Sequence, residues 1–229
     1  MKAVVVGAGI AGLVVARQLG AAGWDVEILE KSTAPRPDGY MMDFFGPGVE
    51  AAERIGLYPR LAAVAYHVEA AEYVDVAGRP TASLDFDQFA RLAGGKVLSL
   101  LRPDMERAAL AALDDVPAGR VLVRYGVPVS RAWEDDEGGV RVVVGGQPEQ
   151  TLTADVLIGA DGVHSSVRAL IFGPEVEYLH PLGMRAAAFI VTDPALNARF
   201  RNRFVLTDSS RGCWNFAPNT RTTMWWHRL

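Results

Sequence analysis

The sequence predicts an α/β protein: a parallel sheet that carries an antiparallel meander, followed by the start of a second, antiparallel sheet. Three observations point there. A short β-branched run at the N-terminus leads into the glycine-rich GAGIAG (Gly7–Gly12). A second wholly apolar run, Val156–Ile158, stops on Asp161-Gly162. After Gly173-Pro174 the texture changes to short, aromatic-rich segments.

Taken in order, Lys2–Val6 is continuously apolar after its lysine, as expected of a central parallel strand buried on both faces. Ile10, Leu13, Val14 and Leu19 then give a helix one buried stripe, and Gly23 ends it. Asp25–Leu29 is the next strand, so the chain opens on a βαβ unit. A proline-rich segment (Ala34–Gly39) precedes YMMDFF and a helix over Pro47–Ile55. Val68–Val76 and Thr81–Phe86 flank AGRP and read as a hairpin, inserted at about residues 66–100. Lys96–Leu100 is a strand feeding a helix with Pro103 in its first turn, where a missing N–H costs nothing. Val129–Glu134, Val140–Val144 and Gln150–Thr153 form a meander. Its first turn, EDDEGG, places Asp135, Asp136 and Glu137 in solvent. Beyond residue 174, Met184–Thr192, Arg203–Thr207, Cys213–Phe216 and Thr222–His227 read as an antiparallel layer. The domains expected are therefore 1–173 and 174–229.

Composition excludes several classes. A formal net charge of −4 with no basic cluster argues against nucleic acid as a partner. The single cysteine, Cys213, forms no internal disulfide and suits a reducing compartment. No signal-type or bilayer-spanning apolar run is present, so the expectation is a cytoplasmic protein without a membrane partner. His67, His164, His180 and His227 lack metal-ligand spacing, so no metal is expected. Ser165-Ser166 lacks the surroundings of a hydrolase nucleophile. Trp214, Trp225 and Trp226 are read as core. The oligomeric state is not legible.

GAGIAG carries the first chemistry. Gly7 permits a tight turn, Gly9 lets a pyrophosphate approach the backbone, and Gly12 lets the helix pack on the strand. The helix N–H groups and dipole favour an anion beside Gly9, Ile10 and Ala11. A glycine turn alone would explain the bare pattern. Here a strand precedes it, a helix follows, and Glu30 closes the second strand where a ribose hydroxyl is expected, with Lys31 beside it. An acidic Glu30 disfavours a 2′-phosphorylated nucleotide at this loop. The motif alone does not separate FAD from NAD. The second feature, Asp161-Gly162, lies at the carboxyl end of a parallel strand, where α/β sheets bind ligands. An Asx-type turn leading to a Ser-capped helix explains it equally well by itself.

GAGIAG, Glu30 and IGADGVHSSVR, in this order and separation, resemble the FAD-dependent aromatic hydroxylases, the single-component flavoprotein monooxygenases. The resemblance implies a Rossmann-like FAD-binding domain followed by an antiparallel substrate-domain sheet. It places Asp161 and Gly162 beside the flavin pyrophosphate and links them to nicotinamide use. LLRPDMERAAL resembles the family segment whose arginine contacts FAD, here Arg102. RPDGYMMDFF resembles the glycine-led strand near the flavin, which makes Asp43 an FAD contact and Arg36 a candidate for the NADPH phosphates. The plain alternatives are a helix-start arginine in a salt bridge, a strand-end carboxylate and a loop cation.

The implied activity is hydroxylation of an aromatic or polyketide-like small molecule. NAD(P)H reduces FAD, O2 adds to give a flavin C4a-hydroperoxide, and its distal oxygen is transferred. No side-chain acid or base is obligatory, so no catalytic residue is named. The family's third motif, a Gly-Asp segment C-terminal to the substrate layer, has no counterpart in these 229 residues. The chain is thus expected to correspond to an N-terminal portion, with affinity for the ADP half of FAD but without competent hydroxylation. Two other readings stay open: a non-catalytic nucleotide-binding or interaction protein, and an NAD-dependent dehydrogenase. The Asp-Gly junction and the meander weigh against the latter.

Overall fold

A computed structural model describes residues 1–75, 77–146, 148–183, 185–207, 213–216 and 222–228. The first elements are β1 (Lys2–Val6), α1 (Ile10–Ala21), β2 (Asp25–Glu30), β3 (Met41–Phe45), α2 (Pro47–Arg54) and α3 (Tyr58–Ala63). Next come β4 (Ala70–Val74), β5 (Pro80–Asp85), α4 (Phe86–Leu92), β6 (Val97–Leu101) and α5 (Arg102–Ala111). The middle of the chain forms β7 (Val121–Tyr125), β8 (Val129–Glu134), β9 (Val140–Val144), β10 (Gln150–Ala154), β11 (Val156–Gly159) and α6 (Ser166–Ile171). The last elements are β12 (Arg185–Val191), α7 (Pro194–Phe200), β13 (Arg203–Thr207), β14 (Cys213–Phe216) and β15 (Thr222–Arg228). They fall into two compact units, Met1–Arg36 with Glu106–His180, and Pro37–Met105 with Pro181–Leu229.

The first unit is built on a parallel sheet in the order β11-β1-β2-β7. Successive side chains of a strand face opposite sides, and β1 uses both. Ala3 and Val5 join Leu13 and Ala16 of α1 on one face, with Val26 and Ile28 of β2. Val4 and Val6 join Leu29, Val142, Val144 and Leu152 on the other, beneath the β10-β9-β8 meander. Each fully buried valine, leucine or isoleucine among them contributes about 1.5–3 kcal/mol, which is why a strand with one polar residue holds the centre. Helix α1 comes close to β7 because Gly20 has no side chain: a Cβ there would lie 2.7 Å from methyls of Val116 and Val121.

The second unit contains the antiparallel pair β3-β6 and a six-stranded sheet in the order β12-β15-β14-β13-β4-β5. The units are drawn differently from the 1–173 and 174–229 division expected from sequence. The hairpin expected within an insertion, β4-β5, forms the end of the sheet that begins after residue 174. Strand β4 pairs in parallel with β13, Arg203 opposite Ala70 and Thr207 opposite Val74. The physical reason is burial: Val74 of β4 packs in one apolar cluster with Val205 of β13 and Phe200 of α7. The expected strands otherwise stand within a residue or two of their limits. Strand β7 and helices α3, α4 and α7 were not anticipated. Among the described residues, no helix is long and apolar enough to cross a membrane.

Candidate functional site

The carboxyl ends of β1, β2 and β11 lie side by side, and the residues singled out in the first unit gather there. Strands β1 and β11 run parallel with Val6 opposite Gly159, and the Ala160 N–H donates to the Val6 carbonyl at 2.8 Å. The two turns therefore leave the sheet together. Gly7 has φ +105°, a region L-residues rarely adopt, and its N–H donates to the Leu29 carbonyl at 2.8 Å. A Cβ on Gly7 would lie 2.5 Å from the Ala160 carbonyl oxygen and 2.9 Å from the Asp161 Cα. Gly12 is tighter still, since its Cβ would lie 1.9 Å from the Gly7 carbonyl oxygen. Helix α1 starts at Ile10 with Gly9 as its N-cap, and has neither a side-chain cap nor an acidic residue in its first turn. Its N-terminal N–H groups and dipole thus favour an anion by about 0.3–1 kcal/mol.

Glu30 closes β2 and reaches into the same turn. One carboxylate oxygen accepts from the Ala8 N–H at 2.9 Å and the other from the Ser32 N–H at 2.9 Å. Burial pushes its pKa up, but the Ser32 and Ala8 N–H groups, the Ser32 hydroxyl and the Arg36 charge outweigh it, and the net shift is downward. With these three bonds the carboxylate still has acceptor capacity for a ligand hydroxyl. Lys31 is exposed beside it. Tyr125 sits opposite Glu30 on β7. Its phenol is pushed up by burial and then by the charges of Glu106 and Glu30.

Asp161 is built into its turn. One carboxylate oxygen accepts from the Ser165 hydroxyl at 2.5 Å, and the other accepts from Ser166 N–H at 2.6 Å and Val167 N–H at 3.2 Å. The Ser165 hydroxyl in turn accepts from the Arg168 N–H at 3.0 Å and caps α6. Gly162, at φ +84°, makes the bend between them. Burial raises the Asp161 pKa, the Ser165 hydroxyl and the helix N–H groups lower it, and the lowering wins. The Ser-capped helix exists, but Asp161 accepts from the N–H groups of Ser166 and Val167 rather than from the N–H two residues on that an Asx turn uses. The close approach to Gly7 makes its turn one wall of the glycine loop.

Asp43 and Arg102 belong to the second unit, where the β3-β6 pair brings their segments together. Asp43 stands opposite Ser99 in register, and the Ser99 hydroxyl donates to the Asp43 carboxylate at 2.7 Å. Asp43 is exposed, yet the protein around its carboxyl raises its pKa more than Ser99 lowers it. Arg102 opens α5, and its N–H donates to the Tyr40 carbonyl at 2.8 Å. Gly39 explains why that strand is glycine-led: a Cβ there would lie 2.5 Å from Cδ of Pro103 and 3.3 Å from Cβ of Arg102. The Tyr66 hydroxyl donates to Asp104 in the first turn of α5 at 2.5 Å.

Sequence reasoning missed Ser99, Tyr66, Asp104 and Tyr125. The one available signal was a serine inside the apolar run VLSLL, which a buried strand tolerates only with a partner. The readings of Trp214, Trp225, Trp226, Cys213 and His227 concern side chains outside the described residues. Among the described residues, no three His, Cys, Asp or Glu side chains group as a metal site.

Residues 1–227 match the protein family described as "FAD binding domain". The chain is 36% identical over 199 residues to the uncharacterized protein Rv1260 of Mycobacterium tuberculosis, covering 83% of this chain and 50% of that one. It is 30% identical over 200 residues to the FAD-dependent monooxygenase asL4 of Sarocladium schorii, covering 85% and 45%. Among solved structures it shares the fold of the tetracycline destructase Tet(55), with TM-score 0.79 and 22% identity over 99% of this chain and 55% of that one. Klebsiella pneumoniae HpxO, solved with FAD and uric acid, gives TM-score 0.76 and 21% identity over 99% and 56%. The chain spans about half the length of the curated relatives it matches.

Proposed function

We propose, on the premise that this chain belongs to the FAD binding domain family of flavin monooxygenases, that it supplies the FAD-holding portion of an NAD(P)H-dependent hydroxylase acting on an aromatic or polyketide-like molecule. One observation carries the reading: the Gly7 turn and the Ala160-Asp161 turn pack with no room for a Cβ between them. Two strand ends joined in this way suit a ligand long enough to cross both.

The residues present fit FAD. The α1 N-terminus lacks a side-chain cap, and Gly7 and Gly12 clear a path for a pyrophosphate to the backbone. The N–H groups of Gly9, Ile10, Ala11 and Gly12 would hold the pyrophosphate, with the Asp161-Gly162 turn as the adjoining wall. Glu30 would accept from a ribose hydroxyl with Lys31 beside it, and Arg36 would meet the phosphates of the nicotinamide donor. By the same resemblance Asp43 and Arg102 are assigned to the cofactor as well. Bound FAD supplies the redox chemistry, accepting reducing equivalents and activating O2 for transfer of one oxygen atom. The protein's part is to bind, orient and exclude water.

The reading predicts that the purified protein carries, or takes up on addition, a yellow chromophore that quenches on binding. NADPH oxidation stimulated by an aromatic compound, tested with this chain and with one extended to the length of its relatives, examines the hydroxylase assignment. A colourless protein that takes up no added FAD overturns the proposal. FAD uptake without stimulated NADPH oxidation in either chain leaves the binding role and removes the catalytic one.

A further inference from the structure

We propose that Ser99 is the positioning residue for Asp43, fixing one carboxylate oxygen so that the other is presented to a hydrogen-bond donor of the flavin. The proposal rests on the reading of Asp43 as a cofactor contact. Ser99 is 1% exposed, between Leu98 and Leu100, with Leu101 following, all buried. A hydroxyl left unpaired in such surroundings loses its water partners without replacement, so a serine there needs a partner. Asp43 is that partner, directly opposite on β3, with its Oδ1 2.7 Å from the Ser99 hydroxyl.

The strand that carries Ser99 is itself pinned. Its carbonyl accepts from the Tyr66 N–H at 2.8 Å, and the Tyr66 hydroxyl reaches Asp104 of α5. Ser99 is thus held by its backbone from one side while its hydroxyl orients Asp43 on the other. An aspartate alone at a strand surface rotates freely about its two side-chain bonds. One committed oxygen removes that freedom before a ligand arrives and lowers the entropic cost of binding. Donation from a hydroxyl also favours the ionised carboxyl against the burial that opposes it.

The test compares Ser99→Ala and Ser99→Thr with the parent, alone and combined with Asp43→Ala. The first readout needs no cofactor: the side-chain carboxyl of Asp43 is titrated by carbon-13 NMR. Ser99→Ala moves its midpoint upward, and Ser99→Thr, which keeps a hydroxyl, returns it toward the parent. The second readout is FAD affinity from flavin fluorescence. Ser99→Ala weakens it by about 2- to 10-fold, the worth of one hydrogen bond, and has no further effect once Asp43 is alanine. Ser99→Cys, close in volume and a weak donor, replaces Ser99→Ala if the latter does not fold. An unmoved Asp43 midpoint in Ser99→Ala overturns the positioning role. A moved midpoint with FAD affinity indifferent to Asp43→Ala overturns the proposal through the reading beneath it.

Discussion

Replacing Gly7 by alanine separates a steric requirement from a conformational one. Two costs apply. The φ of +105° is unfavourable for any residue with a Cβ, at about 1–3 kcal/mol. The new methyl also meets backbone atoms at 2.5, 2.8 and 2.9 Å, all on Ala160 and Asp161. Unlike a side-chain tip, those atoms cannot rotate away. Overpacking of this kind costs about 1–3 kcal/mol more, so the sum is about 2–6 kcal/mol against the roughly 5–15 kcal/mol that holds a typical domain. Gly23 is the internal control, with φ +90° and no atom within 4 Å of the added Cβ. Urea denaturation followed by far-UV circular dichroism reads both variants. Gly7→Ala is expected to lose more than Gly23→Ala by the steric part, and to bind FAD at least about tenfold more weakly because both turns must move apart. Equal losses in the two variants, with FAD affinity retained in both, would refute the claim that the turns are in contact.

Other substitutions test neighbouring parts of the same account. Asp161→Asn weakens three hydrogen bonds to a carboxylate and should destabilise the protein by about 1–3 kcal/mol at neutral pH. Because folding lowers the Asp161 pKa, its stabilisation is complete above the unfolded value of about 3.9 and is lost as pH falls through the folded value. Thermal melts of parent and variant should therefore converge on acidification; a constant gap would exclude the carboxylate as its source. Glu30→Ala strands the Ala8 and Ser32 N–H groups and should lower FAD affinity, with Glu30→Gln intermediate because it keeps one acceptor oxygen, as calorimetric titration would show. Gly39→Ala pushes a methyl into the Pro103 ring at 2.5 Å and should cost about 1–3 kcal/mol in a thermal melt; an unchanged midpoint would mean that the ring yields freely.

The first βαβ unit and the Asp161 turn were legible because their requirements are local. Apolar runs and turn glycines shape the chain within a few residues, and Glu30 meets the Ala8 N–H inside the same βαβ unit. What escaped depends on partners far along the chain. Strand β7 carries Leu122, 57% exposed, and arginine within VLVRY. Its Val121, Val123 and Tyr125 alternate with these and pack on the core, but only from the edge of the sheet, where parallel pairing with β2 places the strand. The parallel pairing of β4 with β13 likewise joins segments about 130 residues apart, which no window of sequence displays. Helix α4 was different, since its cap was in view: Asp85 accepts from the Asp87 and Gln88 N–H groups. The same holds for α7, where Asp193 precedes Pro194 and accepts from Ala195 and Leu196. At the candidate site, Gly7 was recognised as a turn glycine. That its missing side chain makes room for a second turn became visible only with β11 in place.

The position of β1 between β2 and β11 also has a consequence for biosynthesis. Strand β1 leaves the ribosome ahead of both its neighbours and meets β2 as soon as α1 closes the crossover. Its other neighbour begins at Val156, so roughly 6–25 s of synthesis separate the two pairings at about 5–20 residues per second. For that interval one edge of the most deeply buried strand in its sheet is an open template for mispairing. The glycine loop is made together with β1 and α1, yet the turn that walls it is delivered late. A nascent chain stalled before residue 160 should accordingly be prone to aggregation and unable to retain FAD.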